Sequence, residues 1–305
     1  MVRNLFAAFV ALLPAFSFSQ TTTTTPSEGV VPHAAGVPFT LPRSMQYDFT
    51  SRINARTYRI AVSTPFNADR NVDYPVVYVL DGNQYFATAT EIVTRLSYPR
   101  TIVPALIVAI GYPTEDPVEV LRRRSLDLTP SIARNIPGIT DSGGGDNFLR
   151  VIEEEIKPLV MSRHRVDRER QTIYGQSLGG LIALRALFRN PTAFSTYIIS
   201  SPSIWWNNRE VLADEEAFAK RARSGELRLK ILVTSAGDEQ YRGSDPKLLD
   251  ADRRMVDNAS ELATRLSALD RSRIKVVRTI FEGETHGSVS PVSLTRGLRF
   301  ALALD

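Results

Sequence analysis

Apolar residues recur along this chain with two different spacings. Short runs rich in Val, Ile, Tyr and Thr predict strands at 57–63, 75–80, 105–110, 171–174, 195–200, 229–234 and 274–281. Two of these runs, PVVYVL and ALIVAI, are apolar without a break, as in strands covered on both faces. Between the runs, apolar residues return every three to four positions and predict helices at 84–96, 147–161, 178–189, 249–269 and 293–304. Strand and helix alternating through 45–305 imply one mostly parallel sheet with helices on both faces, an α/β fold. No internal repeat and no linker divides that segment, so it reads as a single domain. Two connections, 111–146 and 201–226, are too long for ordinary loops. In an open α/β sheet, the loops that carry function lie at the carboxyl ends of the strands.

The first nineteen residues follow a different pattern. Arg3 precedes an apolar run from Leu5 to Phe18 that Pro14 interrupts and Ser19 follows, the signature of a secretory signal peptide cleaved after Ser19. At about 14 residues the run is short of the roughly 20 that a membrane-spanning helix needs. Residues 20–44, which contain five consecutive threonines from Thr21 and several prolines, read as a flexible mature terminus. The expected location is therefore the periplasm or the cell exterior, with no membrane span.

Composition narrows the chemistry. The 305 residues are 43% hydrophobic and 23% charged, ordinary values for a chain with one large core. The absence of cysteine rules out disulfides, thiol nucleophiles, Cys-based zinc sites and Cys-linked lipids. A net charge of +4 is compatible with anionic ligands. The arginines bunch at Arg122, Arg123, Arg124 and at Arg163, Arg165, Arg168, Arg170, but without interleaved aromatics to stack bases, so no nucleic-acid partner is expected.

The segment TIYGQSLGGLIALRALF sets Gly175, Gln176, Ser177, Leu178, Gly179 between a predicted strand and a predicted helix. A GxSxG in that context is a nucleophile elbow, in which a strained turn lifts the serine hydroxyl above the sheet and glycine neighbours let the backbones approach. By composition alone the motif would occur in about one chain in ten of this length, so its setting carries the inference.

A serine hydroxyl needs a general base, and imidazole is the usual one near neutral pH. Of the three histidines, His33 falls in the flexible terminus and His164 precedes the nucleophile strand, at the wrong end of the sheet. His286, in FEGETHGS between the last strand and the last helix, is the expected base, in the chain order serine, acid, histidine of α/β hydrolases. The acid should follow the intervening strand, where AGDEQ offers Asp238 and Glu239; spacing does not separate them. Asp250 and Asp252 are weaker candidates, expected in a helix first turn where acids are common.

The oxyanion formed in acyl transfer needs two donors. The Leu178 backbone N–H is one; the second is expected from Asp81, Gly82, Asn83 after PVVYVL, with the Asn83 N–H preferred and Gly82 as the fallback. A neutral base predicts activity rising through about pH 6 to 7. No metal or organic cofactor is expected: the chain lacks an HExxH element, and its three histidines are isolated from one another.

Taken together, YPVVYVLDGNQYF, RRRSLDLTP, GGGDNFLRVIEEEIKPLV, YGQSLGGLIALRALF, SSPSIWW and ETHGS resemble the putative esterase family of the α/β-hydrolase superfamily. Within it they look closest to periplasmic esterases of catecholate-siderophore trilactones. The resemblance covers roughly residues 45–305. It implies the α/β-hydrolase fold, serine esterase activity, Ser177 as nucleophile and His286 as base, and it puts the acid on the AGDEQ loop, although some members manage with serine and histidine alone. Arg124 matches an arginine that faces substrate in siderophore esterases; the alternative is a helix-end arginine paired with Asp127. Trp205 and Trp206 either floor an aromatic acyl pocket or pack in the core. The expected partner is a small ester, and a basic rim of Arg122, Arg123 and Arg124 would suit an anionic one.

Three other readings remain. A non-catalytic binding module would keep its ligand after Ser177→Ala, an acyltransferase would prefer an alcohol or sugar acceptor to water, and a peptidase would cleave amides.

Overall fold

In the computed structural model, which describes residues 38–134, 136, 138–240, 253–269 and 272–304, an antiparallel ribbon comes first. It pairs β1 (Ser44–Thr50) with β2 (Thr57–Ser63). The chain continues through β3 (Tyr74–Val79), α1 (Gly82–Ser97), β4 (Leu106–Gly111) and α2 (Pro117–Asp127). Helix α3 (Gly145–Val151) passes through a π-helical turn into α4 (Lys157–Arg163), and β5 (Val166–Gln176) and α5 (Leu178–Arg189) follow. After β6 (Thr196–Ser200) come a short turn, α6 (Trp206–Arg209), and α7 (Glu215–Arg223). The remaining elements are β7 (Leu229–Ala236), α8 (Met255–Ser267), β8 (Ile274–Phe281) and α9 (Val289–Ala301). Leu41–Asp305 form one compact unit; of the preceding unit, Met1–Thr40, the described residues 38–40 hold no helix or strand.

The strands form one sheet in the order β1-β2-β4-β3-β5-β6-β7-β8. The two pairings made by β2 are antiparallel and the pairings from β4 through β8 are parallel. This is the mostly parallel α/β sheet that the alternation implied. Side chains divide with the period of two that a strand imposes. Val76, Tyr78, Ile173, Ile199, Ile231 and Val233 enter a core shared with α5 and α8, whereas Val77, Val79, Tyr174, Ile198 and Leu232 face Ala89 and Val93 of α1 and Leu294 and Leu298 of α9. The unbroken apolar runs are thus covered on both sides, as expected. From β3 the chain moves out to β4 on one side and returns to β5 on the other. The crevice between the carboxyl ends of β3 and β5 is therefore the topological switch point, where open α/β sheets bind ligands.

Four elements were not expected: β1, α2, α6 and α7. Strand β1 (SMQYDFT) is an edge strand with one face in solvent, and only Tyr47 and Phe49 pack on the core, too few apolar residues to register as a strand. The long connection 111–146 contains α2, whose fully buried residues, Ser125 and Asp127, are polar, so no apolar stripe announced it. Its start was marked instead by Asp116, whose side chain accepts the Val118 N–H at 2.9 Å, followed by Pro117 at the first helical position. The connection 201–226 contains α6 and α7. Helix α7 has acids in its first turn, bases in its last, and Phe218, Ala219 and Ala222 buried. The signal-peptide segment 1–19, the stretch 20–37 with His33, the first residues of the expected helix 249–269, and Asp250 and Asp252 lie outside the described residues. No helix among the described residues is long and apolar enough to cross a membrane.

Candidate active site

Ser177 stands between β5 and α5 with φ 61° and ψ −119°, a backbone conformation that costs a β-carbon residue energy and is held by its surroundings. Its N–H donates to the Ser200 carbonyl at 3.0 Å, and its own carbonyl accepts the Ser203 N–H at 3.1 Å. Gly175 makes the turn possible: a β-carbon there would stand 2.1 Å from the Gly179 carbonyl oxygen. At Gly180 it would stand 2.7 Å from the Ser200 carbonyl oxygen.

The structure brings Ser177, His286 and Glu239 together from the carboxyl ends of β5, β8 and β7. Ser177 Oγ lies 3.0 Å from His286 Nε2, and His286 Nδ1 lies 2.8 Å from Glu239 Oε2. A carboxylate only accepts, so Nδ1 carries the proton and the Nε2 lone pair faces the serine hydroxyl. Glu239 is held from a second side, since its Oε1 accepts the Ala236 N–H at 3.0 Å. Its side chain is wholly buried, whereas that of His286 is 44% exposed. Asp238 is not on the imidazole; it is partly exposed, and its N–H donates to the Glu284 carbonyl at 2.9 Å. A short 3-10 turn, Gly237–Glu239, turns the two neighbours in different directions. His164 ends α4 ahead of β5, at the opposite end of the sheet from Ser177.

Leu178 opens α5, and Gly82 and Asn83 open α1 after Asp81, which adopts the left-handed conformation at φ 55°. Amides in a first helical turn have no carbonyl one turn back, so they remain able to donate. The Asn83 side chain is committed elsewhere: its Oδ1 accepts the Tyr112 N–H at 2.7 Å and its Nδ2 donates to the Tyr112 carbonyl at 2.9 Å. That leaves Asn83 its backbone N–H to offer.

Two hollows meet at the serine. The wider, about 720 Å³, is lined by Gly82, Asn83, Tyr85, Arg124, Gln176 and His286; the narrower, about 260 Å³, by Arg124, Ile136, Ile139, Trp205, Arg253 and Met255. Arg124 therefore reaches both. It does not pair with Asp127, which takes Arg56 instead; Arg124 makes a two-point bridge to buried Asp81 at 2.8 and 2.9 Å. Burial works against the charge of Arg124, but Asp81 beside it outweighs that and raises its pKa above the ordinary guanidinium value. Burial lifts the Asp127 carboxyl above the ordinary range, with Arg56 opposing.

The expected basic rim is absent as such. Arg122 is bound to Glu119 and Asp141, and Arg123 donates to the Thr57 carbonyl and stacks on Tyr112, which leaves Arg124 as the one of the three at the serine. Both tryptophans border the narrower hollow, so the two roles considered for them are not exclusive. Trp206 is buried at 1% exposure with its Nε1 donating to Ser131 Oγ, and Trp205, only partly buried, has the Arg253 guanidinium 4.5 Å over its ring. Sequence reasoning did not single out Arg253, which belongs to none of the motifs, and gave no role to Tyr85 and Gln176, which sit inside two of them.

A carboxylate, an imidazole and a hydroxyl in series can move the hydroxyl proton to Nε2 while oxygen attacks an electrophilic carbon. A family model described as putative esterase matches residues 51–268. The ferri-bacillibactin esterase BesA of Bacillus subtilis is 38% identical over 276 residues, which are 88% of this chain and 92% of that protein. The siderophore triacetylfusarinine C esterase of Aspergillus fumigatus is 38% identical over 279 residues, 86% of this chain and 94% of the relative. Among solved structures, the BES protein from Bacillus cereus superposes with a TM-score of 0.79 at 35% identity, covering 90% of this chain and 100% of the other.

Proposed function

The chain belongs to the putative esterase family and is a serine carboxylic-ester hydrolase; from that premise we propose that it opens the ester bonds of a siderophore through an acyl-enzyme on Ser177. The observation that carries the mechanism is the series Ser177 Oγ, His286, Glu239, with contacts of 3.0 and 2.8 Å. Support for the substrate class comes from two relatives named for siderophore esters and matching most of the chain.

In the proposed reaction, Ser177 Oγ bonds to the ester carbonyl carbon as His286 Nε2 takes its proton. The amides of Leu178 and Asn83 hold the oxyanion. His286 then returns the proton to the leaving alkoxide oxygen as the C–O bond breaks, leaving the acyl group on Ser177. Water, deprotonated by His286, releases the acid by the same steps. Glu239 fixes the imidazole tautomer and stabilises the imidazolium. The narrower hollow, with Trp205 on its wall, suits an aromatic acyl unit, and the wider one the remainder of a large ligand. The apolar leader at residues 1–19 supports export to the periplasm or the exterior, to be checked by the mass of the mature protein in fractionated cells.

The substrate test compares hydrolysis of a catecholate trilactone, a sugar acetate and a simple acyl thioester by the purified protein and its Ser177→Ala variant. Turnover of the trilactone, lost by at least about 1000-fold in the variant, is the expected result. Failure on the trilactone with turnover of either other ester would retire the siderophore reading.

A further inference from the structure

Gln176 ends β5 immediately before Ser177, and it is only 5% exposed. Its Nε2 donates to the backbone carbonyl of His286 at 2.8 Å, and its Oε1 accepts the Tyr85 hydroxyl at 2.5 Å. A backbone carbonyl can only accept, so the amide nitrogen must face His286, which leaves the amide oxygen for the tyrosine. Tyr85, on α1, is itself braced: its ring meets Tyr174 edge-on at 5.9 Å, and its hydroxyl lies 3.3 Å from Ser290 Oγ at the start of α9. Burial raises the Tyr85 pKa above the ordinary phenol value, which keeps the hydroxyl a donor.

The histidine loop needs such a brace. Glu282, Gly283, Gly287 and Ser288 are exposed. On its flanks, Asp238 N–H donates to the Glu284 carbonyl at 2.9 Å, Glu284 N–H to the Phe281 carbonyl at 3.3 Å, Val289 N–H to the Thr285 carbonyl at 3.0 Å and Thr285 N–H to Ser288 Oγ at 2.9 Å. None of these touches the backbone of His286, and Gln176 does. One buried amide thus joins the residue adjacent to the attacking hydroxyl with the residue that carries the imidazole.

We infer that Gln176, braced by Tyr85, is a positioning residue that sets the distance between the His286 imidazole and the Ser177 hydroxyl. The inference rests on the proposed roles of Ser177 and His286. Proton transfer depends steeply on that distance, and a displacement of about 1 Å can cost about 100-fold in rate.

The test uses Gln176→Ala, Gln176→Glu and Tyr85→Phe in the full chain, with a short-chain nitrophenyl ester for kcat and KM. Gln176→Glu keeps the side-chain size but cannot donate to a carbonyl as a carboxylate, so it guards against a packing defect in Gln176→Ala. Both Gln176 variants should lower kcat about 10- to 100-fold with KM held within about twofold, and Tyr85→Phe should lower it less. Each is then combined with His286→Ala, and labelling of Ser177 by a fluorophosphonate is followed by intact mass. A residue acting through the imidazole has nothing left to act on there, so Gln176→Ala should slow labelling no further. A full further loss in that background would overturn the inference. So would unchanged kcat in both Gln176 variants, or a raised KM at unchanged kcat, which would mark Gln176 as a substrate contact. Full activity in His286→Ala alone would instead sink the parent mechanism, and this inference with it.

Discussion

At the scale of single residues, the site depends on how one loop aims its acids. Asp238 and Glu239 are chain neighbours with the same charge, yet Glu239 is buried with both oxygens occupied, whereas Asp238 is partly exposed and its backbone N–H donates to the Glu284 carbonyl. Glu239→Gln should lower kcat by about 100-fold or more, because an amide can favour the wrong imidazole tautomer, while Asp238→Asn stays within about threefold. Steady-state kinetics on a nitrophenyl ester check both; equal losses would reassign the acid. Arg124 is similarly constrained. Its two-point bridge to Asp81 fixes the guanidinium between the two hollows. Arg124→Lys keeps the charge but loses the fork geometry, so KM for an anionic ester should rise more than KM for a neutral one.

At the scale of elements, the helices were legible where they bury apolar stripes and obscure where they do not. Helix α5, with ten buried residues, was read with its observed bounds. Helix α2 was not, because it faces inward with Ser125 and Asp127 and relies on a cap, the two-point Arg124 bridge and Arg56. Asp116→Ala should destabilise by about 1 kcal/mol through loss of that cap, measured by denaturant unfolding. Helix α7 is held more conventionally. Phe218 is fully buried against Phe188, with ring centroids 5.5 Å apart. Phe218→Ala should cost about 3–5 kcal/mol with kcat of the surviving folded protein little changed, since α7 supplies no residue to either hollow.

At the scale of the molecule, α5 also ties together the helices on its face of the sheet. Arg185 on α5 bonds both to Asp146 at the start of α3, at 3.0 Å, and to Asp214 ahead of α7, at 2.8 Å. The Arg185 hydrogen bond holds the Asp146 carboxyl below its ordinary value, against the opposing effect of burial. A carboxyl depressed on folding stabilises the protein above its unfolded pKa, about 4, and that stability is lost as pH falls through the folded value. Arg185→Met removes the shift, so the difference in stability between pH 7 and about pH 3 should shrink, as read by urea midpoints at the two pH values. A steeper acid loss in the variant would contradict the assignment.

The alternation of strand and helix, the doubly covered sheet, the serine elbow and the choice of His286 among three imidazoles were determined by the sequence itself. Each rests on local periodicity, on glycine's small volume, or on the scarcity of a residue type, all of which are written in chain order. The choice of Glu239 over Asp238, the capture of Arg124 by Asp81, the deeper burial of Trp206 beside Trp205 and the Gln176 link to His286 were decided only by the tertiary structure. These contacts join residues 43 to 110 positions apart, or divide adjacent ones, and depend on which rotamer the surrounding packing leaves open.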